Sequence, residues 1–291
     1  MTAATDDFVR HRNLLFTVSY EMLGSAADAE DVLQEVWLRW AEADHDAVLD
    51  PRAYLVRITT RLSLNRMRTV ARRREAYVGP WLPEPLLTVP DVADDVELAD
   101  SLSTAMLLVL ETLTPTERAV FVLREVFDVG YDEIAEAVEK SPAAVRQIAH
   151  RARSHVESRR PRASVSTRER DAVLARFVEA TATGDLQGLM DVLAPDVVLM
   201  TDGGGLKKAA LRPIMGVEKV LRFLAAVAEG VDAVADVVVV NGAPAVRLTV
   251  DGVVDTIGSL LIEDGLVTAL YLVRNPEKLA RLETETAVTR G

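Results

Sequence analysis

The chain has 291 residues, 49% of them apolar, which excludes wholesale disorder and leaves room for two or three domains, each with its own core. It has no cysteine, so disulfides and thiolate metal sites are excluded, and its four histidines (His11, His45, His150, His155) lack metal-site clustering. The formal net charge of -12 leaves any polyanion contact to a local concentration of basic residues.

Taken in chain order, the first section reads as three helices over residues 8–23, 27–43 and 51–74, punctuated by Gly24-Ser25 and by the 45–50 stretch. Residues 78–90 carry four prolines in thirteen positions, too many for a regular element, and read as a linker with an apolar anchor. A second helical unit runs from about residue 95 to 156, and an Arg/Pro/Ser-rich boundary follows at 158–166. The third section begins with helices at 168–183 and 186–193. The period then changes to β-branched runs at 197–200, 237–240, 245–250, 253–261 and 266–273. These are separated by Asn241-Gly242, Asp251-Gly252 and Asp264-Gly265, strong hairpin signals, and interrupted by a helix at 217–228. Helices followed by an antiparallel sheet predict an α+β cone. The expected domains are therefore 1–77, 78–94, 95–160 and 161–291. No leader and no run of about 18 apolar residues is present, so a soluble, cytoplasmic protein without a membrane partner, cofactor or metal is expected.

The basic residues are concentrated. Residues 51–74 hold eight arginines and no acid, whereas residues 75–117 hold nine acids and no lysine or arginine. Within the second unit, Tyr131, Ile134, Ala135 and Val138 recur at helical spacing; Glu139-Lys140 is a turn, and Ser141-Pro142 is an N-cap with proline where a missing N–H costs nothing. The next helix buries Val145, Ile148 and Ala149 and shows Arg146, Gln147, His150, Arg151 and Arg153 on its other face. This is a helix-turn-helix whose second helix suits the major groove, with Ser141 and Ala144 at its leading end. A glycine is common where Glu139 stands, and a non-glycine residue there at positive φ costs about 1 kcal/mol.

The helix at 28–40 (DAEDVLQEVWLRW), the Arg-rich helix at 53–75 and the helix-turn-helix follow one another in the order found in bacterial RNA polymerase sigma factors. Over residues 8–156 the chain resembles their extracytoplasmic-function class, which implies a sigma-two domain, a linker and a sigma-four domain. The resemblance implies core RNA polymerase and promoter DNA as partners. It assigns Asp31, Gln34, Glu35 and Leu38 to the polymerase clamp, Arg57, Arg61, Asn65, Arg66 and Arg68 to the minus-10 element, and the recognition helix to the upstream element, with Arg146 and Gln147 on base edges and Arg151 and Arg153 on phosphate. The loop at 41–50 would capture an unpaired base. It contains no Phe, Trp or Tyr, so capture would use polar contacts or nearby ring faces.

The third section resembles the SnoaL-like (NTF2-like) extension of one subgroup, marked by WLPEP (Trp81, Pro83), DGGGK and NPxKL (Asn275, Pro276, Leu279). Here Leu206 interrupts the second motif (Asp202, Gly203, Gly204, Gly205, Leu206, Lys207), so Lys207 and Lys208 fit the lysine position equally. The resemblance implies modulation of sigma activity within one chain in place of a separate anti-sigma protein. The glycine triplet suggests a close backbone approach, with the 202–207 loop packing on the linker around Trp81 or on residues 275–279. Three further readings use the same residues: a conventional helix-turn-helix regulator, a small-molecule ligand site in the extension, and an enzyme drawing on Asp202, Asp255, Arg247 or Tyr271. The last is disfavoured because a carboxylate base in a cone needs a raised pKa, and no catalytic residue is assigned.

Overall fold

The computed structural model describes residues 3–89, 95–160, 166–228, 231–282 and 284–290. The chain forms two compact units. One comprises Met1–Glu75, Asp91–Arg160 and Thr286–Gly291, and the other Ala76–Pro90 and Pro161–Glu285. Residues 76–89, read from sequence as closing the first domain and opening a linker, thus lie in the second unit. Residues 90–94 and 161–165, where two domain boundaries were expected, are outside the described residues.

The first unit is helical: α1 (Ala3–Leu23), α2 (Ala26–Ala41), α3 (Pro51–Glu75), α4 (Val96–Leu102), α5 (Thr104–Leu110), α6 (Pro115–Phe121), α7 (Tyr131–Val138) and α8 (Pro142–Glu157). Helix α2 starts where Ser25 accepts the Asp28 N–H at 3.2 Å, and it buries Ala29, Val32, Val36 and Trp40 on one stripe. The Trp40 indole N–H is satisfied by the Ala4 carbonyl at 2.7 Å. Helix α6 opens on a reciprocal capping box between Thr114 and Glu117 with Pro115 at its first turn. It runs into a π-helical turn, Val122–Val126, which periodicity cannot signal. Glu139 ends α7 at φ 56°, the left-handed turn residue, and Ser141 then caps α8 by accepting the Ala144 N–H at 3.2 Å.

A buried polar cluster joins α1, α3, α5 and α6. Arg118 is 1% exposed; its Nε donates to the Glu21 carbonyl oxygen at 2.9 Å and its Nη1 pairs with Glu111. Arg74 also pairs with Glu111 and donates to the Leu23 carbonyl at 2.6 Å. The Glu21 carboxylate, fully buried, accepts from the Ser101 hydroxyl of α4 at 2.6 Å. The segment after residue 285 completes the unit. The Thr289 N–H donates to Thr17 Oγ1 of α1 at 3.0 Å, and Arg290 grips Asp95, the N-cap of α4, through two bonds of 2.8 and 2.7 Å, with Glu97 on its third nitrogen.

The second unit packs α9 (Thr167–Thr183), α10 (Leu186–Val192) and α11 (Val217–Ala228) on one six-stranded sheet. Its strands are β1 (Leu193–Asp202), β2 (Ile214–Met215), β3 (Ala233–Val240), β4 (Ala243–Val250), β5 (Val253–Glu263) and β6 (Leu266–Val273), in the order β2-β1-β6-β5-β4-β3. A last helical turn, α12 (Pro276–Leu279), follows. The β3 to β6 run is an antiparallel meander whose turns place Asn241-Gly242, Asp251-Gly252 and Asp264-Gly265 at positive φ, as two-residue hairpins require. Among the described residues, only β1 and β6 pair in parallel. Strand β1 begins at Leu193, earlier than its alternation suggests, and its register shifts between Leu193 and Val198 around Pro195, which has no N–H to give the ladder. Strand β2 spans two residues, too few for a period. Val173, Leu174 and Phe177 of α9, Val220 of α11 and Val197, Leu199 and Leu270 of the sheet form the core. Helices packed against a largely antiparallel sheet make this unit α+β.

Candidate nucleic-acid interface and buried carboxylate hub

On α8, Val145, Ile148 and Ala149 are buried and Arg146, Gln147, His150, Arg151 and Arg153 are exposed, the partition set by its 3.6-residue period. Ser141 is exposed and Ala144 half-buried at its leading end. These side chains are not equally free. Arg153 is held in a fork by Glu125 at 3.0 and 2.6 Å, whereas Arg146 lies over the Tyr131 ring, 5.4 Å from its centroid.

On α3, the apolar stripe buries Leu55, Leu62 and Leu64, while Ile58 and Met67 are half-buried. Arg61, Asn65 and Arg68 are exposed and Arg57 and Arg66 half-buried. Within this unit, Arg57 Nη1 donates to Glu136 Oε2 of α7 at 2.8 Å, and Arg61 Nη2 donates to the Glu136 carbonyl at 2.9 Å. Arg66 is tied to α2, giving Nε to Asp28 at 2.7 Å and Nη2 to Asp31 at 2.6 Å, and Arg68 bonds Asn65 at 3.2 Å. Asp31, Gln34, Glu35 and Leu38 share the exposed side of α2. Leu38 is 62% exposed on this side.

The loop at 41–50 contains one 3-10 turn, His45–Ala47. The His45 ring stands edge-on to Trp40 at 4.4 Å, Tyr54 lies 5.6 Å from Trp40, and Arg57 covers Tyr54 at 5.3 Å. Sequence reasoning passed over His45 and Tyr54. The signal was there in their positions just after a tryptophan and ahead of the Arg-rich turn.

In the second unit the three motifs of the extension meet at Asp202, which is fully buried at the end of β1. One carboxylate oxygen accepts from the Tyr77 hydroxyl at 2.6 Å and the Gly204 N–H at 3.1 Å. The other accepts from the Leu82 N–H at 2.9 Å and from Lys278 Nζ at 2.7 Å. Lys278 also bonds the Leu82 carbonyl and sits over the rings of Trp81 at 4.3 Å and Tyr77 at 5.0 Å. Asn275 Nδ2 closes the ring of contacts on the Tyr77 hydroxyl at 2.8 Å. Burial, and then the Asp202 charge, push the Tyr77 phenol well above its ordinary pKa, so it remains a donor.

Two of the glycines are dictated by this packing. A Cβ on Gly203 would stand 2.2 Å from the Lys207 carbonyl oxygen, and one on Gly204, at φ +62°, would stand 2.4 Å from Asn275 Nδ2. Gly205 lies beside Val78. Asn275 caps α12 by accepting the Glu277 N–H at 3.0 Å, with Pro276 at its first position and Leu279 buried. Pro83 is buried between Leu82 and Glu84. Lys207 is elsewhere: it pairs with Asp255 at 3.0 Å, while the Lys208 carbonyl accepts from Arg274 at 2.8 Å. The cation of the hub is Lys278, inside the NPEKL run but not singled out from sequence. Further along, the 86–88 segment joins the hairpin end of β3. The Leu86 N–H donates to Asn241 Oδ1 at 2.7 Å, the Asn241 N–H to the Leu86 carbonyl at 2.9 Å, and the Thr88 N–H to the Val239 carbonyl at 3.0 Å.

Burial opposes ionisation of Asp255, but hydrogen bonds from Thr256, Lys207 and Arg274 outweigh it and hold its carboxyl below the usual range. Burial pushes Tyr271 up to about 12, and Arg247 is locked to Asp236 at 3.0 and 2.6 Å. Among the described residues no helix is long and apolar enough to cross a membrane.

Residues 8–74 match the Sigma-70 region 2 family and residues 103–156 the Sigma-70, region 4 family. The chain is 37% identical over 287 residues to the ECF RNA polymerase sigma factor SigJ of Mycobacterium tuberculosis strain H37Rv, covering 94% of this chain and 92% of that protein. It is 32% identical over 278 residues to the probable ECF RNA polymerase sigma factor SigI of strain CDC 1551, covering 94% of each. The crystal structure of Mycobacterium tuberculosis SigJ superposes with a TM-score of 0.76 at 33% identity, covering 96% of this chain and 99% of that one. The region 2 and region 4 folds, their order along the chain and the full-length likeness to a solved relative leave one conclusion: the protein belongs to the extracytoplasmic-function family of RNA polymerase sigma factors.

Proposed function

We propose that this sigma factor reads its promoter through Arg57, Arg61, Asn65 and Arg68 at the downstream element and through the exposed face of α8 at the upstream element. Asp31, Gln34, Glu35 and Leu38 dock the polymerase clamp, and the C-terminal unit modulates this work within the chain. The observation that carries the modulation is the Asp202 hub. It binds residues 77–82, the stretch that follows α3 and precedes the upstream-reading domain. A unit that grips this stretch sets how far the two DNA-reading domains separate.

The arginine contacts support a closed resting state. Arg57 and Arg61 bond Glu136 of the helix-turn-helix, so phosphate must displace a carboxylate and a carbonyl before α3 engages DNA. The pairs are exposed and individually weak, which suits a contact meant to be exchanged.

Run-off transcription with core RNA polymerase from the protein's own upstream promoter tests this reading. The Arg57→Ala/Arg61→Ala double variant should lower initiation by about 10-fold and weaken its salt dependence, because two phosphate-facing charges are lost. Glu35→Lys should lower it by a similar order, about 10-fold, by placing a cation where the clamp expects an anion, with helicity unchanged. Full activity of both variants would defeat the assignment.

A further inference from the structure

We propose that Tyr131 is a positioning residue for upstream-element recognition, its ring presenting the Arg146 guanidinium to a guanine in the major groove. The inference rests on the assignment of Arg146 to base reading. The arginines assigned to DNA are held in different ways. Arg57, Arg66 and Arg153 are held by carboxylates, Arg61 by the Glu136 carbonyl and the Glu139 carboxylate, and Arg68 by a neutral oxygen. Each of these has N–H donors engaged that must be released before it meets nucleic acid. Arg146 is exposed, no carboxylate lies within 4.0 Å of it among the described residues, and its recorded contact is the Tyr131 ring at 5.4 Å.

A ring face attracts a guanidinium without consuming any of its N–H groups, so the five in-plane donors stay available while the side chain is oriented. A bidentate bond to guanine O6 and N7 needs that fork intact, and an arginine already oriented loses less rotamer freedom on binding.

The ring itself is fixed. Tyr131 is the first residue of α7, following the Gly130 N-cap, and is half-buried. Arg124 lies 4.9 Å from the same ring centroid, and is anchored in turn by the Val129 carbonyl at 3.1 Å and by Asp128 at 2.8 Å. The first helix of the motif therefore carries a tethered platform, and the recognition helix supplies the reading group that rests on it.

The test uses the full chain in complex with core RNA polymerase and a promoter library randomised over the upstream element, with bound DNA sequenced. Wild type should enrich guanine at one position, and Arg146→Ala should erase that preference. Tyr131→Leu should cut the same preference by about 3- to 10-fold with other positions unchanged, and add nothing in the Arg146→Ala background; Tyr131→Phe should keep it. A series of progressively fluorinated phenylalanines at 131 holds the packing constant while the ring quadrupole weakens, and the guanine preference should fall stepwise along it. A flat preference along the series overturns the proposal even if Tyr131→Leu fails to fold. Retention of the preference in Tyr131→Leu, with its loss in Arg146→Ala, overturns the Tyr131 role alone. No change in Arg146→Ala overturns the base-reading assignment and the proposal with it.

Discussion

Asp202→Ala should destabilise the C-terminal unit by about 3–5 kcal/mol, among the largest effects a single substitution can have here. The carboxylate is fully buried and accepts from Lys278 Nζ, the Tyr77 hydroxyl and two backbone N–H groups. Removing it leaves a lysine side chain only 11% exposed with its charge uncompensated, and strands the Leu82 N–H. Asp202→Asn should cost nearly as much, since one face of the amide would meet donors with donors. The Asp202→Asn/Lys278→Met double variant should recover part of the loss, because both charges are then gone. Denaturant-dependent hydrogen exchange of the β1 and β6 amides measures the stability term for this unit. Faster proteolytic cleavage within 77–86 would report release of the segment, and transcription by the variant holoenzyme should change with it. A stability from that exchange within experimental error of wild type would refute the hub as a structural determinant.

Glu21→Gln should flatten the pH dependence of the helical unit. Burial raises the Glu21 carboxyl from 4.5 to about 7, against the Ser101 hydrogen bond and the Arg118 charge that favour ionisation, with Asp100 adding to the rise. A raised acid binds its proton more tightly in the folded unit than in the unfolded chain. Its penalty is therefore absent below about pH 4.5, grows as pH climbs toward 7, and is constant above; across that window it amounts to at most about 3 kcal/mol. Glutamine, neutral throughout and still able to accept from Ser101, should make the unit more stable than wild type at pH 8 and little different at pH 5. Hydrogen exchange of α1 amides at both pH values isolates this unit, and equal wild-type-to-variant differences at the two would sink the prediction.

Much of the architecture was legible because local chemistry and tertiary need agree. Ser25, Ser141-Pro142 and the three Asn-Gly or Asp-Gly pairs each solve a backbone problem on the spot, and the helices and hairpins begin or turn where those residues stand. Glu139 was legible in the opposite sense. The sequence marks a turn where glycine is usual, and the chain accepts a left-handed glutamate that leaves a carboxylate 3.7 Å from Arg61.

The hidden parts depend on groups distant in sequence. Lys278 and Tyr77 acquire meaning only when Asp202, 76 and 125 residues away, is buried between them. The proline-rich stretch reads as a connector because its hydrogen bonds go to Asp202 and Asn241 rather than to itself. The partners of Arg66 on α2 and of Arg57 on α7 were equally out of reach, since charge patterning gives the sign of a surface and not what already occupies it.

The short segment ending at Arg290 gives synthesis an order. Residues 286–290 leave the ribosome after the whole sheet has been translated, yet their bonds run to Thr17 and to Asp95 in the helical unit. A nascent or prematurely terminated chain has α1 and α4 but lacks this strap across them. The last contacts of the helical unit therefore form only after the residues of the C-terminal unit have been translated.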